Sequence, residues 1–578
     1  MPLGGFHGCP VTLTLLLCAL VAVPADAQRA NRNHWPTEAA IGRDEGPVAD
    51  QALRDAPSNP AEWLHYGGNY QSWRHSPIER LTPESVTDLK LAWMAQTGVP
   101  GQLEASPVVY DGILYLTSAR NRLLALDAKT GELYWRYDHP LPDNLRLCCG
   151  PANRGVAIAD DVVLMATLDA KLVALGRKTG VVAWETTIDD YAVGFSATSA
   201  PLVIGDIAVI GVGGGEYGVR GYFDGYDVTS GERRWRHYTI PAVGEPGAET
   251  WASESFLHGG GATWSTGSYD PDTDTLFWTT GNPSPDWNGD DRLGDNLYSD
   301  SVLAVDPSTG DRKWHFQFTP HDVWDYDGNS EIWLVDLEID GRRVPTLAQA
   351  NRNGYLYVID RRNGEFLRAT QYADQVNWGT VGPDGRATVN PDMMPAENPE
   401  VRVCPGLAGG NNAAYAGAFN PDLGLAFVPV IESCMLFRKA PAVLRPGIPF
   451  FGGSPIPVDA NNGTAYGHLS AVDLATGDIR WQYRDPFPMM AGVLSTAGGL
   501  VVTGNAAGEI LGFDGRTGEE VWRVQTGSGI RSHPIAYELD GTVYLAVGSG
   551  GGGVVQQVSG NPPSVPLGSS LLVFALEG

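Results

Sequence analysis

The chain has 578 residues, with 67 acidic against 39 basic side chains and a formal net charge of −28 at neutral pH. Such a polyanion repels nucleic acid and attracts basic partners, which excludes DNA or RNA binding as the main function. Length alone would suggest three or four domains, but the internal repeats described below indicate a single one.

The first segment is predicted to be a secretory signal peptide covering residues 1–27. An apolar run over residues 11–23 precedes Ala25-Asp26-Ala27, a small-x-small pattern typical of cleavage sites, so the mature chain would begin near Gln28. The run is too short to span a bilayer, and no other stretch is long enough. We therefore expect a periplasmic protein without a membrane span.

One short pattern recurs along the mature chain. It consists of a small or apolar residue, Asp or a near substitute, a Thr-Gly-like turn, and a Trp four residues after the Gly. Complete copies occupy residues 125–135, 174–184, 225–235, 304–314, 471–481 and 512–522. Trp93 ends a copy that lacks the first half of the pattern. Residues 358–368 form a degenerate copy with Arg368 at the Trp position.

Each copy predicts a strand, a tight turn whose Gly adopts positive φ, and a second strand with an inward-facing Trp. Such a hairpin is too small to bury its own apolar face, so the copies must stack. Spacings of about 40 to 50 residues are typical of four-stranded propeller blades. The repeats therefore predict an all-β, eight-bladed β-propeller with tryptophan-docking repeats.

The two chain ends supply the halves of one blade. Residues 574–576 look like the front half of a repeat, and residues 88–93 look like its back half. Pairing of these N- and C-terminal strands would close the ring without an unpaired edge. Residues 28–578 are thus predicted to form a single eight-bladed propeller domain.

The mature chain keeps an even number of cysteines in an oxidising compartment: Cys148, Cys149, Cys404 and Cys434. Adjacent cysteines rarely both reach distant partners, which favours Cys148–Cys149 and Cys404–Cys434 over two ordinary disulfides. A Cys-x-x-Cys-His motif is absent from the sequence, so no covalently bound c-type haem is expected.

Candidate metal ligands stand in the segments between blades. Asp325 and Asp327 share the acidic segment TPHDVWDYDGN, Glu216 follows a glycine run, and Asn282 follows Thr280-Gly281. A lone Asp-x-Asp is more often a solvated turn. If these side chains converge, however, each carboxylate pair at about 4 Å costs about 4 kcal/mol at an effective dielectric near 20. Such a pocket requires a hard multivalent cation such as calcium or a lanthanide.

In this order, the motifs resemble the quinoprotein alcohol dehydrogenases that use pyrroloquinoline quinone (PQQ), a family that includes methanol and ethanol dehydrogenases. The resemblance covers nearly the whole mature chain. It rests on WLHYGGNYQSWRHSPI from Trp63, CCGPANRG from Cys148, GGGEYGVRG from Gly213, TGNPSPDWNGDDRLGD from Thr280 and WDYDG from Trp324.

The resemblance implies a PQQ site in which a vicinal Cys148–Cys149 disulfide lies on one face of the cofactor and Trp264 on the other. Further residues match family positions that contact the cofactor, namely Glu104, Arg154, Thr198, Gly214, Gly215 and Asn412. Arg352 matches an arginine near the reactive quinone oxygens and is expected to act in catalysis.

Glu216, Asn282 and Asp325 match the metal ligands of the family, and Asp325 also matches the base that removes the alcohol proton. The resemblance implies that the metal polarises PQQ and that hydride passes from the alcohol carbon to the quinone. Asp327 matches an acidic residue typical of the lanthanide-dependent branch, whereas calcium enzymes have a neutral residue there. One lanthanide ion is therefore expected, with calcium as the alternative.

The activity implied is periplasmic oxidation of a primary alcohol to the aldehyde. Electrons would pass to a soluble periplasmic cytochrome c, and a homodimer would match family practice. Two alternatives stay open: a calcium-dependent quinoprotein for longer or sugar-type alcohols, and a non-enzymatic propeller scaffold.

Departures from the family pattern are predicted at four positions, where Gly213 replaces a Ser, Ala262 a Thr, and Ala413 and Met490 each a Trp. Lost hydrogen bonds and a missing aromatic wall would weaken cofactor binding or enlarge the substrate pocket, and they put methanol in doubt as the substrate.

Overall fold

The computed structural model describes residues 41–43, 45–252, 254–458, 465–553 and 565–578. The signal peptide predicted for residues 1–27 lies outside these ranges. Within them, no helix is long and apolar enough to cross a membrane. The described residues contain one short α-helix, Asp50–Asp55. Short 3₁₀ helices occur elsewhere along the chain, at Ala56–Ser58, Ser85–Asp88, Ala119–Asn121, Tyr191–Val193, Gly215–Tyr217, Ala248–Thr250, Ser255–His258, Pro391–Met393 and Ala413–Tyr415.

Eight antiparallel four-stranded blades follow one another along the described residues, one of them extended by a fifth strand, which confirms the predicted eight-bladed β-propeller. Blade 1 consists of Val108–Tyr110, Ile113–Ser118, Arg122–Asp127 and Leu133–Asp138, and blade 2 of Ala157–Ala159, Val162–Ala166, Lys171–Gly176 and Val182–Thr187. Blade 3 consists of Leu202–Ile204, Ile207–Gly211, Tyr222–Asp227 and Arg233–Tyr238, and blade 4 of Ser268–Asp270, Thr275–Thr279, Ser301–Val305 and Arg312–Gln317.

Blades 5 to 8 consist of Trp333–Ile339, Arg342–Ala350, Tyr355–Asp360 and Phe366–Gln371; Ala418–Asn420, Leu425–Glu432, Tyr466–Asp473 and Ile479–Asp485; Leu494–Thr496, Leu500–Gly504, Glu509–Asp514 and Glu520–Gln525; and Ile535–Leu539, Thr542–Ser549, Ser570–Leu576 and Lys90–Gln96. His75–Ser76 adds a parallel strand to blade 7. Two further hairpins pair Gly379–Val381 with Ala387–Val389 and Cys434–Lys439 with Gly453–Val458.

Burial differs between the inner and outer strands of a blade. Ile113–Ser118, the second strand of blade 1, is buried at every position, whereas Val182–Thr187, the outermost strand of blade 2, is exposed at four of its six positions. Inner strands have neighbouring blades on both faces, so both sets of side chains must be apolar or internally hydrogen-bonded. The core is therefore distributed between the blades.

The repeated Trp fastens each blade to the next. Trp135 of blade 1 packs against the turn residue Gly180 of blade 2, where a Cβ would lie 2.7 Å from the indole ring. Gly180 has a φ of 67°, which only glycine adopts at low cost. The Trp135 indole N–H donates to the Arg177 carbonyl at 3.0 Å. Equivalent bonds reach the following blade from Trp184, Trp235 and Trp481.

The degenerate repeat keeps the same interaction with a different side chain. Arg368 of blade 5 donates from Nη2 to the carbonyls of Leu474 and Ala475 in blade 6, at 2.7 and 2.8 Å. Its side chain also packs against the turn residue Gly477. A planar guanidinium thus provides both the flat surface and the N–H donor that the indole provides elsewhere.

The ring closes through the two chain ends, as predicted. Lys90–Gln96 pairs antiparallel with Ser570–Leu576, and Trp93 packs against Gly131 in the turn of blade 1. Both favoured disulfides, Cys148–Cys149 and Cys404–Cys434, are also present.

Replacing Trp135 tests the docking interaction. Trp135→Ala empties the space under the blade 2 turn and is expected to lower the free energy of unfolding by about 3–5 kcal/mol. Trp135→Phe loses mainly the indole N–H bond and is expected to cost about 1 kcal/mol, since the Arg177 carbonyl also accepts from the Tyr115 hydroxyl at 3.1 Å. Urea unfolding followed by far-UV circular dichroism measures both. Equal losses would contradict this account.

Candidate active site

The segments that precede the first strands of the blades meet at one end of the propeller axis. First strands of neighbouring blades contact one another, so they form the innermost ring. Backbone hydrogen bonds join the preceding segments across blades: Ser106 N to Arg154 O, Arg154 N to Thr198 O, Ala413 N to Asn329 O, Gly492 N to Ser532 O and His533 N to Ala105 O, at 3.0 to 3.2 Å. Side chains here share one space although they are far apart in sequence.

A cavity at this end of the axis brings most of the predicted site residues together. It is lined by Glu104, Cys148, Cys149, Arg154, Thr198, Gly214, Glu216, Trp264, Asp325, Asp327, Arg352 and Asn412. The remaining two predicted residues adjoin it. Gly215 follows Gly214, and the backbone N–H of Asn282 donates to Oδ1 of Asp327 at 3.1 Å.

The acidic wall of the cavity depends on a local alternation of side chains. Trp324 and Tyr326 are fully buried, and their backbone N–H groups donate to the Asp322 carboxylate at 2.8 and 2.7 Å. The intervening Asp325 and Asp327 adopt left-handed backbone conformations, with φ of 62° and 55°. Aspartate tolerates this region better than most residues. The two anchored aromatics therefore hold both carboxylates at the cavity.

Among the described residues, Arg352 is the cation that pairs with these two carboxylates. Arg352 Nη1 donates to the Asp325 carbonyl at 2.6 Å, and its guanidinium lies 3.5 Å from Oδ1 of Asp325 and 3.4 Å from Oδ2 of Asp327. With Glu216 on the same cavity, three carboxyl groups share one guanidinium, so their full ionisation would leave two negative charges uncompensated at this wall.

Burial raises the pKa of each carboxyl group at this wall, and for Glu216 and Asp325 the charge of Asp327 adds to it. Burial, together with the charge of Asp327, raises the pKa of Glu216 to about 7. Burial, followed by the charge of Asp327, raises the pKa of Asp325 well above its usual value. Burial also raises the pKa of Asp327, although Arg352 opposes that rise. Each group is thus held in surroundings that disfavour its anionic form.

The donor set fits a hard cation in its chemistry. Every predicted ligand offers oxygen, which hard cations prefer, and the three carboxyl groups are buried in surroundings that disfavour their anionic forms. The carboxylates repel one another, and within the described residues Glu216, Asp325 and Asp327 do not bring one oxygen each within 4.8 Å of the others. A multivalent cation at this wall would offset that repulsion.

The Cys148–Cys149 disulfide and the ring of Trp264 line the same cavity. Sγ of Cys149 lies 3.9 Å from Oε1 of Glu216, so the disulfide adjoins the acidic wall. The Arg154 guanidinium lies 4.7 Å from the centre of the Trp264 ring and donates to the Thr198 hydroxyl at 2.7 Å. An aromatic ring and a disulfide suit a planar ligand, and arginine suits its anionic groups. These residues fit a flat, polyanionic quinone.

The four departures from the family pattern have different surroundings. Gly213 pairs with Ser196, whose hydroxyl would lie 2.8 Å from a Cβ at Gly213. Ser196 lines the cavity, so it offers a hydroxyl where Gly213 lacks one. Ala262 is buried, and its carbonyl accepts from Asn329 at 3.0 Å. Ala413 and Met490 are buried, and the cavity lining does not include them.

Several residues of the site were missed by the sequence analysis. Gln102, Ser196 and Arg531 line the cavity. Asp286 is buried, and its pKa is raised well above the usual value by burial and by the charge of Glu216. One available signal was register. Five of the cavity residues stand four positions before the first strand of their own blades: Glu104, Thr198, Trp264, Ala414 and Arg531.

The carboxylate wall predicts how the cation-free protein responds to pH. Because the pKa of Glu216 in the folded protein is about 7, against a usual 4.5, the folded state binds the extra proton between these values. The contribution of Glu216 to the free energy of unfolding is therefore expected to be greatest below about pH 4.5 and to be lost as the pH rises through about 7. Asp327→Asn should flatten this loss.

Thermal unfolding of chelator-treated protein between pH 5 and 8.5 measures the effect. Asp290→Asn is the control, since it removes an exposed carboxylate that pairs with Lys439 outside the cavity. If Asp327→Asn leaves the pH dependence of stability unchanged, the charge of Asp327 does not act on Glu216 as described.

Comparisons with known proteins agree with this geometry. A family model described as "PQQ: Glucose/ethanol/alcohol dehydrogenase, beta-propeller domain" matches residues 63–374 and 454–545. Quinoprotein alcohol dehydrogenase PedH of Pseudomonas putida is 38% identical, over 88% of this chain and 89% of its own. A lanthanide-dependent methanol dehydrogenase of Methylacidiphilum fumariolicum is 34% identical over 92% and 95%. The structure of a europium-containing methanol dehydrogenase superposes with a TM-score of 0.85 at 32% identity, covering 91% of this chain and 100% of that one. The chain therefore belongs to the family of PQQ-dependent quinoprotein alcohol dehydrogenases.

Proposed function

We propose that this protein oxidises a primary alcohol to the aldehyde with PQQ and one lanthanide ion, and that it does so in the periplasm with a soluble cytochrome c as electron acceptor. The observation that carries the metal assignment is the buried carboxylate of Asp327, which shares Arg352 with Asp325. Family membership supports the quinone chemistry, and the carboxylates, vicinal disulfide and Trp264 of the cavity fit it.

The choice of a lanthanide follows from Coulomb's law. At equal distance a carboxylate attracts a trivalent ion one and a half times as strongly as a divalent ion, so each added carboxylate favours the trivalent one more. Asp327 is such an addition to Glu216, Asn282 and Asp325. Among the relatives, the methanol dehydrogenase of Methylacidiphilum fumariolicum is named lanthanide-dependent, and the structural relative contains europium. Both support the same assignment.

The two aspartates differ in access, and this separates their roles. The Asp325 side chain is 17% exposed and the Asp327 side chain 6%. Asp325 is therefore the carboxylate that can meet a substrate hydroxyl in the cavity and accept its proton. Asp327, which is held by the Asn282 N–H and by Arg352, supplies negative charge to the cation. When bound, the quinone supplies the two-electron acceptor and the cation a Lewis acid.

Arg352 holds the base in place and orients it. Its bond to the Asp325 carbonyl fixes the backbone, while the 3.5 Å separation from Oδ1 leaves that carboxylate free to accept a proton. Leu147 and Leu407 add apolar surface to the cavity, where the alkyl chain of an alcohol can be buried. This lining is compatible with alcohols longer than methanol.

Metal exchange tests the lanthanide assignment. Metal-free protein supplied with PQQ is expected to regain dye-linked alcohol oxidation with lanthanum or cerium, and little of it with calcium. Asp327→Ala should lower the kcat/KM measured with a lanthanide by about 10- to 100-fold. It should also reduce the ratio of kcat/KM with a lanthanide to kcat/KM with calcium. Asp290→Ala should change neither value, because that carboxylate is exposed and paired with Lys439.

The opposite results identify the alternatives. Activity restored by calcium and not by lanthanides, over a panel that includes longer and sugar-type alcohols, would assign a calcium quinoprotein. Protein that binds neither PQQ nor metal and oxidises none of these alcohols would favour a scaffold.

The acceptor is tested by salt. A formal charge of −28 should attract a basic cytochrome c, so raising the ionic strength from about 0.02 M to about 0.5 M is expected to lower its reduction rate about tenfold or more. The rate with an uncharged dye should stay constant. A salt-independent cytochrome rate, or no reduction at all, would contradict this acceptor.

A further inference from the structure

One part of the cavity contains two arginines on one carboxylate. Glu104 lies between Arg154 and Arg531. Its Oε2 is 2.9 Å from Nη2 of Arg154, and its Oε1 accepts from Nη2 of Arg531. Oε1 also accepts from the amide of Gln102 at 2.6 Å. Arg531 and Glu104 are each only 1% exposed, and they are 427 residues apart in the chain.

The charges of this group do not balance. Burial by itself would raise the pKa of Glu104, but the charges of Arg531 and Arg154 outweigh burial and hold that pKa below its usual value. Glu104 is therefore anionic, and two guanidinium groups against one carboxylate leave one positive charge. An uncompensated charge in a buried site is costly unless an anion joins it.

Both arginines also retain a donor without a hydrogen-bond partner among the described residues. Nε of Arg154 and Nε of Arg531 are buried and lack a hydrogen-bond partner among the described residues, and both side chains line the cavity. A charged donor in that condition points to a missing acceptor.

Arg531 is fixed in position as a binding residue must be. Its Nη1 donates to the carbonyl of Gly552, and a Cβ at Gly553 would lie 2.7 Å from that nitrogen. The backbone two residues later is bonded to blade 1 through His533 N and Ala105 O. Arg531 also has the same offset from its inner strand as Thr198 and Trp264.

We propose that Arg531 is a cofactor-binding residue that, with Arg154, holds a carboxylate of PQQ at the Glu104 end of the cavity. The inference rests on the proposed PQQ-dependent function. The cavity then has a cationic end for the carboxylates of the quinone and an anionic wall for the cation, and this asymmetry orients the cofactor before chemistry begins.

Direct binding measurements test the proposal without relying on turnover. Full-length protein prepared free of PQQ is titrated, at a fixed lanthanum concentration, with PQQ or with its trimethyl ester, in which the carboxylates are uncharged. Arg531→Gln is expected to weaken PQQ binding about 10- to 100-fold, as for a charge-assisted hydrogen bond, and to change ester binding less than about twofold. Circular dichroism checks the fold.

Two further variants keep the test decisive. Arg361→Gln removes an arginine that pairs with Asp270 and Asp336 outside the cavity and should leave PQQ binding unchanged. If Arg531→Gln fails to fold, Arg531→Lys keeps the charge without the planar fork and should weaken PQQ binding several-fold, again sparing the ester.

The outcomes separate this inference from the function on which it rests. Unchanged PQQ affinity in both Arg531 variants would overturn the inference. Equal losses of affinity for PQQ and for its ester would overturn it as well, since they would mean that the substitution alters the shape of the site and not its contact with a carboxylate. Wild-type protein that does not bind PQQ would overturn the proposed function itself.

Discussion

Closure of the ring is the constraint on which the rest of the structure depends. Each blade covers the apolar face of its neighbour, and the repeated Trp or Arg under the turn of the next blade fixes the angle between them. Lys90–Gln96 and Ser570–Leu576 complete the last blade, so no apolar face or strand edge is left at the seam. Because the ring is closed, the loops at one end of the axis have fixed neighbours, and a site can be built from residues of different blades.

The propeller uses this rigidity to hold charges that repel one another. The acidic wall concentrates Glu216, Asp325 and Asp327 near the guanidinium of Arg352, while another part of the same cavity holds two arginines on Glu104. Neither arrangement is at its electrostatic minimum without further charge. The buried aromatics on either side of Asp325, their backbone bonds to Asp322 and the cross-blade backbone bonds hold the wall together. An incoming cation and an anionic quinone each relieve one of the two imbalances.

The register of the loops connects the repeat to the site. Glu104, Thr198, Trp264 and Arg531 occupy the same offset before the inner strand in four different blades. Chemically unrelated side chains at one structural position therefore meet in one cavity. Changes at that position alter the site while the docking interactions between blades remain.

The sequence by itself determined the repeat, the number of blades, the closing pair of strands and the two disulfides, because these follow from local spacing and from cysteine count. It also identified Asp325, Asp327, Glu216 and the vicinal disulfide, since their motifs are contiguous and occur in a known order. Only the tertiary structure decided which distant residues share the cavity. Arg531 meets Glu104 across 427 residues, and Asp286 lies close enough to Glu216 to feel its charge, although only Asn282 was singled out from the motif that contains both. The physical reason is that local spacing fixes the turn and strand of each repeat, whereas the partners of a buried charge are set by how the closed ring brings separate loops to one axis.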